Sequence, residues 1–599
     1  MSEKKKPVSA HAAAPSVPTV SGADVVVQSF VNHGVDTVFA YPGGSVIPLH
    51  QALTRFREKI RVVLPRHEQG GGFAAQGYAR STGKVGVCTV TSGPGAANLL
   101  TAVADAKLDS VPMIVITGQV GTKVIGTDAF QELPTTEVFR SITKHHALVT
   151  DPNDLARVMK EAFYIATSGR KGPVLVDIPK DVFMARVTPD YDVEMKLPGY
   201  GKRKIPTPTP ESVQWWADAI ENAKKPVLYV GGGAAAADAA PELMELVQKT
   251  GIPVTCTLMG LGTFPADHPL SLDMPGMHGT VYANHAINDC DLLIALGARF
   301  DDRITGRVSA FAPHAKIVHV DIDLSEVNKI VGSDLFVAGD VKRALQMLNP
   351  IVKAPKESLQ PWHDQIQAWK KEFPYSYTKD SEYILPQKAI ETLWKMTKDQ
   401  EPIVSTGVGQ HQMWAAQFFR FNTPNHFLSS GGMGTMGFGL PAGMGAKVAN
   451  PDKMVIVIEG DGSILMNIQE MATCFCEKIP VKVLLLNNQH LGMVVQWEDW
   501  FCKSNRGNTY LGPIDNPESL GKGTGIGPAV RYPNFIEIAK GFGWDGLSIA
   551  KPEELEAGLE ALVAAKGPFL LDVAIPYQEH VMPFIPAGGT FKDVILKRE

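Results

Sequence analysis

The sequence predicts an α/β protein of three doubly wound parallel sheets, and three observations carry that expectation. Apolar runs of strand length recur and end in glycine or oxygen-bearing residues, as buried parallel strands do. Helical patterns long enough for a crossover separate them. Two polar, proline-bearing stretches divide the 599 residues into three blocks, in keeping with about 150 residues per domain.

Residues 1–20 hold three lysines, then mainly Ala, Pro, Ser and Val, with no apolar h-region of a secretory signal. They are expected to form a disordered tail. Their lack of arginine speaks against an organelle-transit segment and for a cytoplasmic protein. The first block, residues 21–190, opens with an amphipathic helix marked by Val25, Phe30 and Val31. Strands follow from Thr37 to Ala40, Gly86 to Thr91, Met113 to Thr117 and Val174 to Ile178. A linker is expected over 191–210, with Pro206, Pro208 and Pro210. The second block, 211–353, holds runs beginning at Pro226, Leu292 and Ile317, the first of which ends in Gly231-Gly232-Gly233. A second linker is expected over 354–383, with Pro355, Pro361 and Pro374. The third block spans 384–577, and residues 578–599 are expected to form a C-terminal tail over the active site that the motifs below suggest.

The third block carries the most informative pair of strand ends. One run from Met454 ends in Gly460-Asp461-Gly462-Ser463, and another from Val481 ends in Asn487-Asn488. The helical pattern Ile468, Met471, Ala472, Phe475 lies between them. Ligands of open parallel sheets sit beyond the carboxyl ends of the strands. Asp461 and Asn488 should therefore meet there, as two hard oxygens of the kind Mg²⁺ prefers. The glycines let a diphosphate approach the backbone, and the following helix N-terminus favours its charge. Asp-Gly alone is a common turn and Asn-Asn alone often ends a strand. Placed together after two apolar runs, they resemble the thiamine-diphosphate signature.

Composition narrows the classes of function. Net charge is −5, from 57 basic and 62 acidic residues, so there is no basic excess for nucleic acid. No apolar run is clean enough to span a bilayer; the stretch from Ala96 to Gly118 carries Asp105, Lys107 and Asp109. The six cysteines form no CxxC pair and read as core thiols of a reducing compartment. Cys474 and Cys476 are two apart and point to different sides of a helix.

Glu68 follows a strand and opens a helix rich in small residues. An acidic first turn is favoured by the helix dipole, so the local pattern leaves structural and functional roles both open. Longer strings extend the resemblance: Arg66 to Gln69, Thr91 to Gly95, Thr127 to Glu132, Arg299 to Arg303, Thr406 to Trp414, Gly434 to Pro441 and Gln489 to Glu498. With them the chain, from about Ser21 onward, resembles the catalytic subunit of the acetohydroxyacid (acetolactate) synthase family.

That resemblance implies pyrimidine- and diphosphate-binding domains flanking a central FAD-binding domain. It makes Glu68 the catalytic partner of the aminopyrimidine, favouring the imino tautomer whose nitrogen takes a proton from the thiazolium carbon. It assigns thiamine diphosphate to Val408, Gln410, His411, Gly434, Met436, Gly462, Ser463 and Met493, although a methionine such as Met436 reads equally as core filling. It assigns Mg²⁺ to Asp461, Asn488 and the main-chain oxygen of His490. It assigns FAD to Arg170, Gly231, Gly232, Gly233, Thr257, Leu258, Met277, His278, Gly297, Arg299, Arg303, Asp321, Ile322, Asp340 and Val341. By themselves the triple glycine and Asp321-Ile322-Asp323 read as well as turns. Substrate contacts fall to Phe130, Gln131, Lys180 and Trp497.

In this family the first and third blocks of different subunits meet, which implies at least a homodimer, and members commonly bind a separate regulatory subunit. The implied reaction decarboxylates pyruvate and condenses the hydroxyethyl carbanion with a second pyruvate or with 2-ketobutyrate, in branched-chain amino-acid synthesis. A pyruvate oxidase or 2-ketoacid decarboxylase on the same scaffold is the nearest rival; a flavin-binding protein with a vestigial thiamine site is a rival of another class. Ser45, Gly121 and Ala587 depart from the usual family residues near the herbicide channel. The Gly- and Pro-rich segment 512–531 is expected to be a loop capping the site.

Overall fold

Three parallel sheets organise the chain, as the apolar runs require. The computed structural model describes residues 19–200, 205–513 and 531–597. The first sheet runs, edge to edge, Arg61–Val63, Thr37–Ala40, Gly86–Val90, Met113–Gln119, Pro173–Pro179, His145–Leu148. The third runs Phe427–Leu428, Ile403–Thr406, Val455–Gly460, Lys482–Asn487, Phe569–Ala574, Asp545–Ile549. Counted in chain order within each domain, both sheets have the strand order 2-1-3-4-6-5. The central sheet, Val254–Cys256, Pro226–Val230, Leu292–Leu296, Lys316–Asp321, Leu335–Ala338, shares the switch between first and third strands. Every pairing in the three sheets is parallel.

The inner strands are buried on both faces, so their side chains alternate between two cores. In the first sheet Ile114 and Ile116 enter one core, while Met113 and Val115 enter another. That second core continues into the third domain through Val455, Val457, Val483 and Leu485. The opposite face of the third sheet, through Ile456, Ile458, Leu484 and Leu486, shares a core with the central domain. The three domains are thus joined by continuous apolar packing.

Two helices make the contact between the first and third domains. Glu68–Thr82 follows the second strand of the first domain, and Gly439–Ala449 follows the second strand of the third. A Cβ at Gly77 would collide with the carbonyl of Ala442, and one at Gly445 with the carbonyl of Ala74. Only glycine permits so close a backbone approach. Phe73 meets Phe438 edge-on at 5.4 Å beside this crossing.

Several expectations change. The stretch 354–383 contains the helix Gln360–Glu372, whose Trp362 is buried and donates to the Pro226 carbonyl at 3.2 Å. Pro361 occupies the first turn of that helix, where its missing N–H costs nothing. Four cysteines are buried, but Cys476 and Cys502 are exposed and so are not core thiols. The expected capping loop lies almost wholly outside the described residues, as does most of the N-terminal tail. The C-terminal segment bridges two domains: Ile585 N–H donates to Met277 O at 2.8 Å, and Phe584 packs on Trp500 and Trp497 at ring distances of 4.6 and 5.4 Å.

The helix crossing makes a simple prediction. Gly77→Ala should lower stability by about 1–3 kcal/mol, since a packed backbone contact must open. Denaturant unfolding checks it, and an unchanged midpoint would mean that the helices separate without cost.

Candidate active site

The carboxyl ends of the third sheet bring the signature residues together. Strand Val455–Gly460 lies beside Lys482–Asn487, with Gly460 opposite Leu486. Asp461 follows the first and Asn488 the second. The Asp461 carboxylate accepts from the backbone N–H groups of Gly462 and Gln489, which places it at the start of the Asn488 loop. Asn488 Oδ1 accepts from the His490 N–H at 2.9 Å, and the His490 ring stacks on Tyr577 at 4.1 Å. Asp461 is buried, and burial first, then nearby Asp572, pushes its carboxyl up to about 8. A carboxylate held in such a place favours a cation beside it. Among the described residues no group of three His, Cys, Asp or Glu side chains forms a metal cage. Asp461, Asn488 and the His490 main-chain oxygen would supply hard oxygens of the kind Mg²⁺ takes.

Around this corner the other expected residues converge. A Cβ at Gly460 would lie 2.7 Å from His411 Nδ1, and one at Gly492 would meet both Gln410 and Asn488. A Cβ at Gly462 would lie 2.9 Å from Leu491 and 3.5 Å from Met436. Ser463 Oγ accepts from Gly437 N–H at 3.0 Å, tying the glycine turn around Gly434 (φ 70°) to the aspartate loop. Val408 precedes the helix Gln410–Phe418, and Met493 lies in the first turn of Gly492–Phe501. Gln410 Nε2 donates to Gln496 at 3.0 Å, while its Oε1 has no hydrogen-bond partner among the described residues. The same holds for His411 Nε2 and Glu459 Oε2, which face each other at 3.6 Å. Burial pushes His411 down to about 3, which keeps it neutral, and raises Glu459 to about 7. Unpartnered buried polar atoms are costly; grouped around the strand ends, they mark a place for a polar ligand.

The expected first-domain residues gather elsewhere. Glu68 begins its helix, and among the described residues its carboxylate bonds only to Asn98 Nδ2, at 2.9 Å. Gln131 lies against Gly93, whose turn continues to Gly95 beside Glu68. Phe130 is 88% exposed, and Lys180, directly after Pro173–Pro179, is exposed too. Trp497 belongs with the third domain, half-buried between Phe501 and Phe584.

Each central strand contributes an expected flavin residue at or beyond its carboxyl end: Thr257, Gly231, Gly297, Asp321 and Asp340. Several of these have internal work. Gly231 and Gly233 pack on the backbone of Gly297 (φ 60°), with Gly233 N–H donating to Gly297 O at 2.9 Å. The triple glycine thus meets a need for backbone contact between two strands. Thr257 and Asp340 cap the turns that begin at Leu258 and Val341, Asp321 accepts from Asp323 N–H, and half-buried Ile322 lies between them. Arg170 is committed to Asp323, Glu326 and Ser110. Arg299 pairs with Asp301 at 3.4 Å, and Gly232 abuts Met259. Met277 and His278 meet the C-terminal segment, and the Arg303 carbonyl accepts from Met277 N–H at 2.7 Å. Burial, with the charge of Arg303 adding to it, lowers His278 to about 4.

Sequence reasoning missed Glu459, Asp572, Asn98 and Glu470. A charged residue inside the apolar run before Gly460 is a signal for Glu459. Glu470 is buried, pushed up to about 7, and accepts from backbone N–H groups of the first domain. Nothing local announces that role.

Comparison with known proteins fits this arrangement. Family models of thiamine pyrophosphate enzymes match the N-terminal TPP binding domain over residues 20–138, the central domain over 213–348 and the C-terminal TPP binding domain over 407–573. Acetolactate synthase 1, chloroplastic, of Zea mays is 54% identical over 579 residues, 96% of this chain and 88% of that protein. Acetolactate synthase, chloroplastic, of Arabidopsis thaliana is 53% identical over 578 residues, 96% and 84%. Acetolactate synthase 2, chloroplastic, of Nicotiana tabacum is 51% identical over 578 residues, 96% and 85%. The chain belongs to the acetolactate synthase family of thiamine pyrophosphate enzymes. Those relatives are named chloroplastic, which overturns the cytoplasmic expectation; an arginine-poor start is too weak a compositional signal to set a compartment.

Proposed function

We propose that the chain is a Mg²⁺- and thiamine-diphosphate-dependent acetolactate synthase, which decarboxylates pyruvate and joins the two-carbon remainder to pyruvate or 2-ketobutyrate. The observation that carries the reading is the meeting of Asp461 and the Asn488 loop beside the unpartnered atoms of Gln410, His411 and Glu459. Thiamine diphosphate, when bound, supplies a carbon nucleophile and an electron sink for loss of CO₂. The residues do the rest. Asp461, Asn488 and the His490 main-chain oxygen hold Mg²⁺. Gln410 and His411 would face the diphosphate; burial keeps His411 neutral, so it adds no charge there. Val408, Gly434, Met436, Gly462, Ser463 and Met493 line the remainder. Glu68 holds a proton at the aminopyrimidine, with Asn98 fixing one of its oxygens and leaving the other available. The carboxyl ends of the central strands take FAD.

Glu68, Phe130, Gln131 and Lys180 lie in the first domain, and Glu68 has no hydrogen bond to the third domain among the described residues. That supports a homodimer in which one subunit's first domain completes the partner's site. Trp497, packed between Phe501 and Phe584 on the helix that follows the Asn488 loop, sets the choice of second 2-ketoacid.

Glu68→Gln should retain cofactor yet lose most turnover and most proton exchange at the thiazolium carbon, because an amide cannot hold the proton. Exchange measured by NMR decides, and a normal rate removes Glu68 from the mechanism. Asp461→Ala should abolish Mg²⁺-dependent binding of thiamine diphosphate in calorimetric titration while sparing flavin absorbance. Loss of both would mark Asp461 as structural. Trp497→Leu should reduce the preference for 2-ketobutyrate over pyruvate. The two acceptors differ by one CH₂, worth about 0.8 kcal/mol by area and roughly 1–3 kcal/mol in a shaped pocket. An unchanged product ratio at fixed substrate ratio would leave Trp497 as packing only.

A further inference from the structure

The first and third domains grip each other through carboxylates at equivalent places in the two folds. Glu470 opens the helix Glu470–Cys476, on the crossover from third to fourth strand of the third domain. Its carboxylate accepts from the backbone N–H of Arg66 at 3.1 and 3.2 Å and of His67 at 3.0 Å, the two residues before Glu68. Thr473 Oγ1 donates to it at 2.7 Å, and Gly70 makes room, since a Cβ there would strike it. Asp105 lies on the helix Leu100–Leu108, on the crossover from third to fourth strand of the first domain. It accepts from the hydroxyls of Ser430 and Thr435, the latter at 3.0 Å. Asp109, one turn on, accepts from the N–H of Gly431 at 3.0 Å and of Gly432 at 2.7 Å. It also pairs with the buried guanidinium of Arg80 at 2.5 Å, which donates to Ser429 O at 2.6 Å. The two gripped turns are equivalent as well: each joins a second strand to the next helix. One leads into Glu68, and the other carries Gly434 and Met436.

We propose that Glu470, and Asp105 with Asp109, are reciprocal positioning residues, by which each domain sets the working turn of the other. The proposal rests on the reading of Glu68 and the 434–436 turn as parts of the thiamine site. A fully buried carboxylate is a poor plain staple, because its desolvation offsets much of what it gains. Apolar packing at Phe73 and Phe438 already holds the domains together. What a carboxylate adds is two charge-assisted bonds that fix a backbone in direction as well as distance. The residue so fixed at one end is the one whose proton-holding atom must be placed most closely.

The test uses the full chain loaded with Mg²⁺ and thiamine diphosphate. Glu470→Gln keeps one acceptor oxygen and loses the other. Proton exchange at the thiazolium carbon and kcat should fall together by roughly ten- to hundred-fold, as for a misplacement of about 1 Å. KM for pyruvate should stay within about two-fold, the signature of a lost contribution to the chemical step alone. The thermal midpoint should stay close to that of the parent. Combined with Glu68→Gln, the substitution should cost little more, because both act through one side chain. Normal exchange in a folded Glu470→Gln, or full additivity in the double variant, overturns the proposal. Should that variant not fold, Thr473→Val loosens the same carboxylate and is read the same way. Asp105→Ala should weaken thiamine diphosphate binding about ten-fold, and Asp105→Asn, which keeps an acceptor oxygen, should restore it. Unchanged affinity in folded Asp105→Ala overturns the other half. Normal exchange in Glu68→Gln alone overturns the catalytic reading and this proposal with it, so the two failures are distinguishable.

Discussion

The close approach of two helices, Glu68–Thr82 and Gly439–Ala449, is the contact on which the rest depends. Gly77 and Gly445 each lie on a carbonyl of the opposite helix, so the axes come nearer than side chains would allow. The core that surrounds them draws on both sheets, from Val115 in one to Val457 in the other. Each helix begins at a turn that carries candidate chemistry. Where the helices sit therefore decides where Glu68 and the Gly434 turn sit. Any change that parts the backbones moves both ends of the candidate machinery together.

Burial does the electrostatic work at these turns. Burial raises the carboxyls of Asp461, Glu459, Glu470 and Asp105 above their ordinary values, with desolvation the leading cause in each. Such groups cost stability unless something meets them. Glu470 is met by the opposite domain through backbone N–H groups, and Asp105 Oδ1 through hydroxyls, while Asp105 Oδ2 has no hydrogen-bond partner among the described residues. Asp461 is met by backbone N–H groups of its own domain, and Glu459 keeps an oxygen without a partner among the described residues. The contrast separates two uses of a buried carboxylate. One closes the structure upon itself, and the other leaves charge capacity beside the candidate site.

The sequence made the inner strands legible because strands buried on both faces read as unbroken apolar runs. Val455–Gly460 and Lys482–Asn487 are of this kind, and their ends followed from them. The edges were not legible. His145–Leu148 carries two half-exposed or exposed histidines, and Phe427–Leu428 is two residues long. Neither resembles a buried run. Prolines misled at 354–383, since Pro361 starts a helix rather than breaking one. Of the candidate site, the glycines and the aspartate–asparagine pair stood out because their spacing is local. Glu470 and Asp105 did not, because their partners lie 404 and 325 residues away. A charged residue on a helix is ordinarily a solvated face, and no pattern within the helix says otherwise.

The matching strand orders of the first and third domains explain why the carboxylate contacts come in a pair. Two copies of one fold that pack through equivalent helices are related by an approximate two-fold axis. Whatever the third-to-fourth crossover of one copy touches, the same crossover of the other touches in return. A carboxylate that suits one contact is thereby placed to suit the other, although no sequence repeat is visible. The turns it meets differ in content: one leads into Glu68, and the other is a glycine turn with methionine. Symmetry of the fold sets the places, and the chemistry of the residues sets which half of the site each place serves.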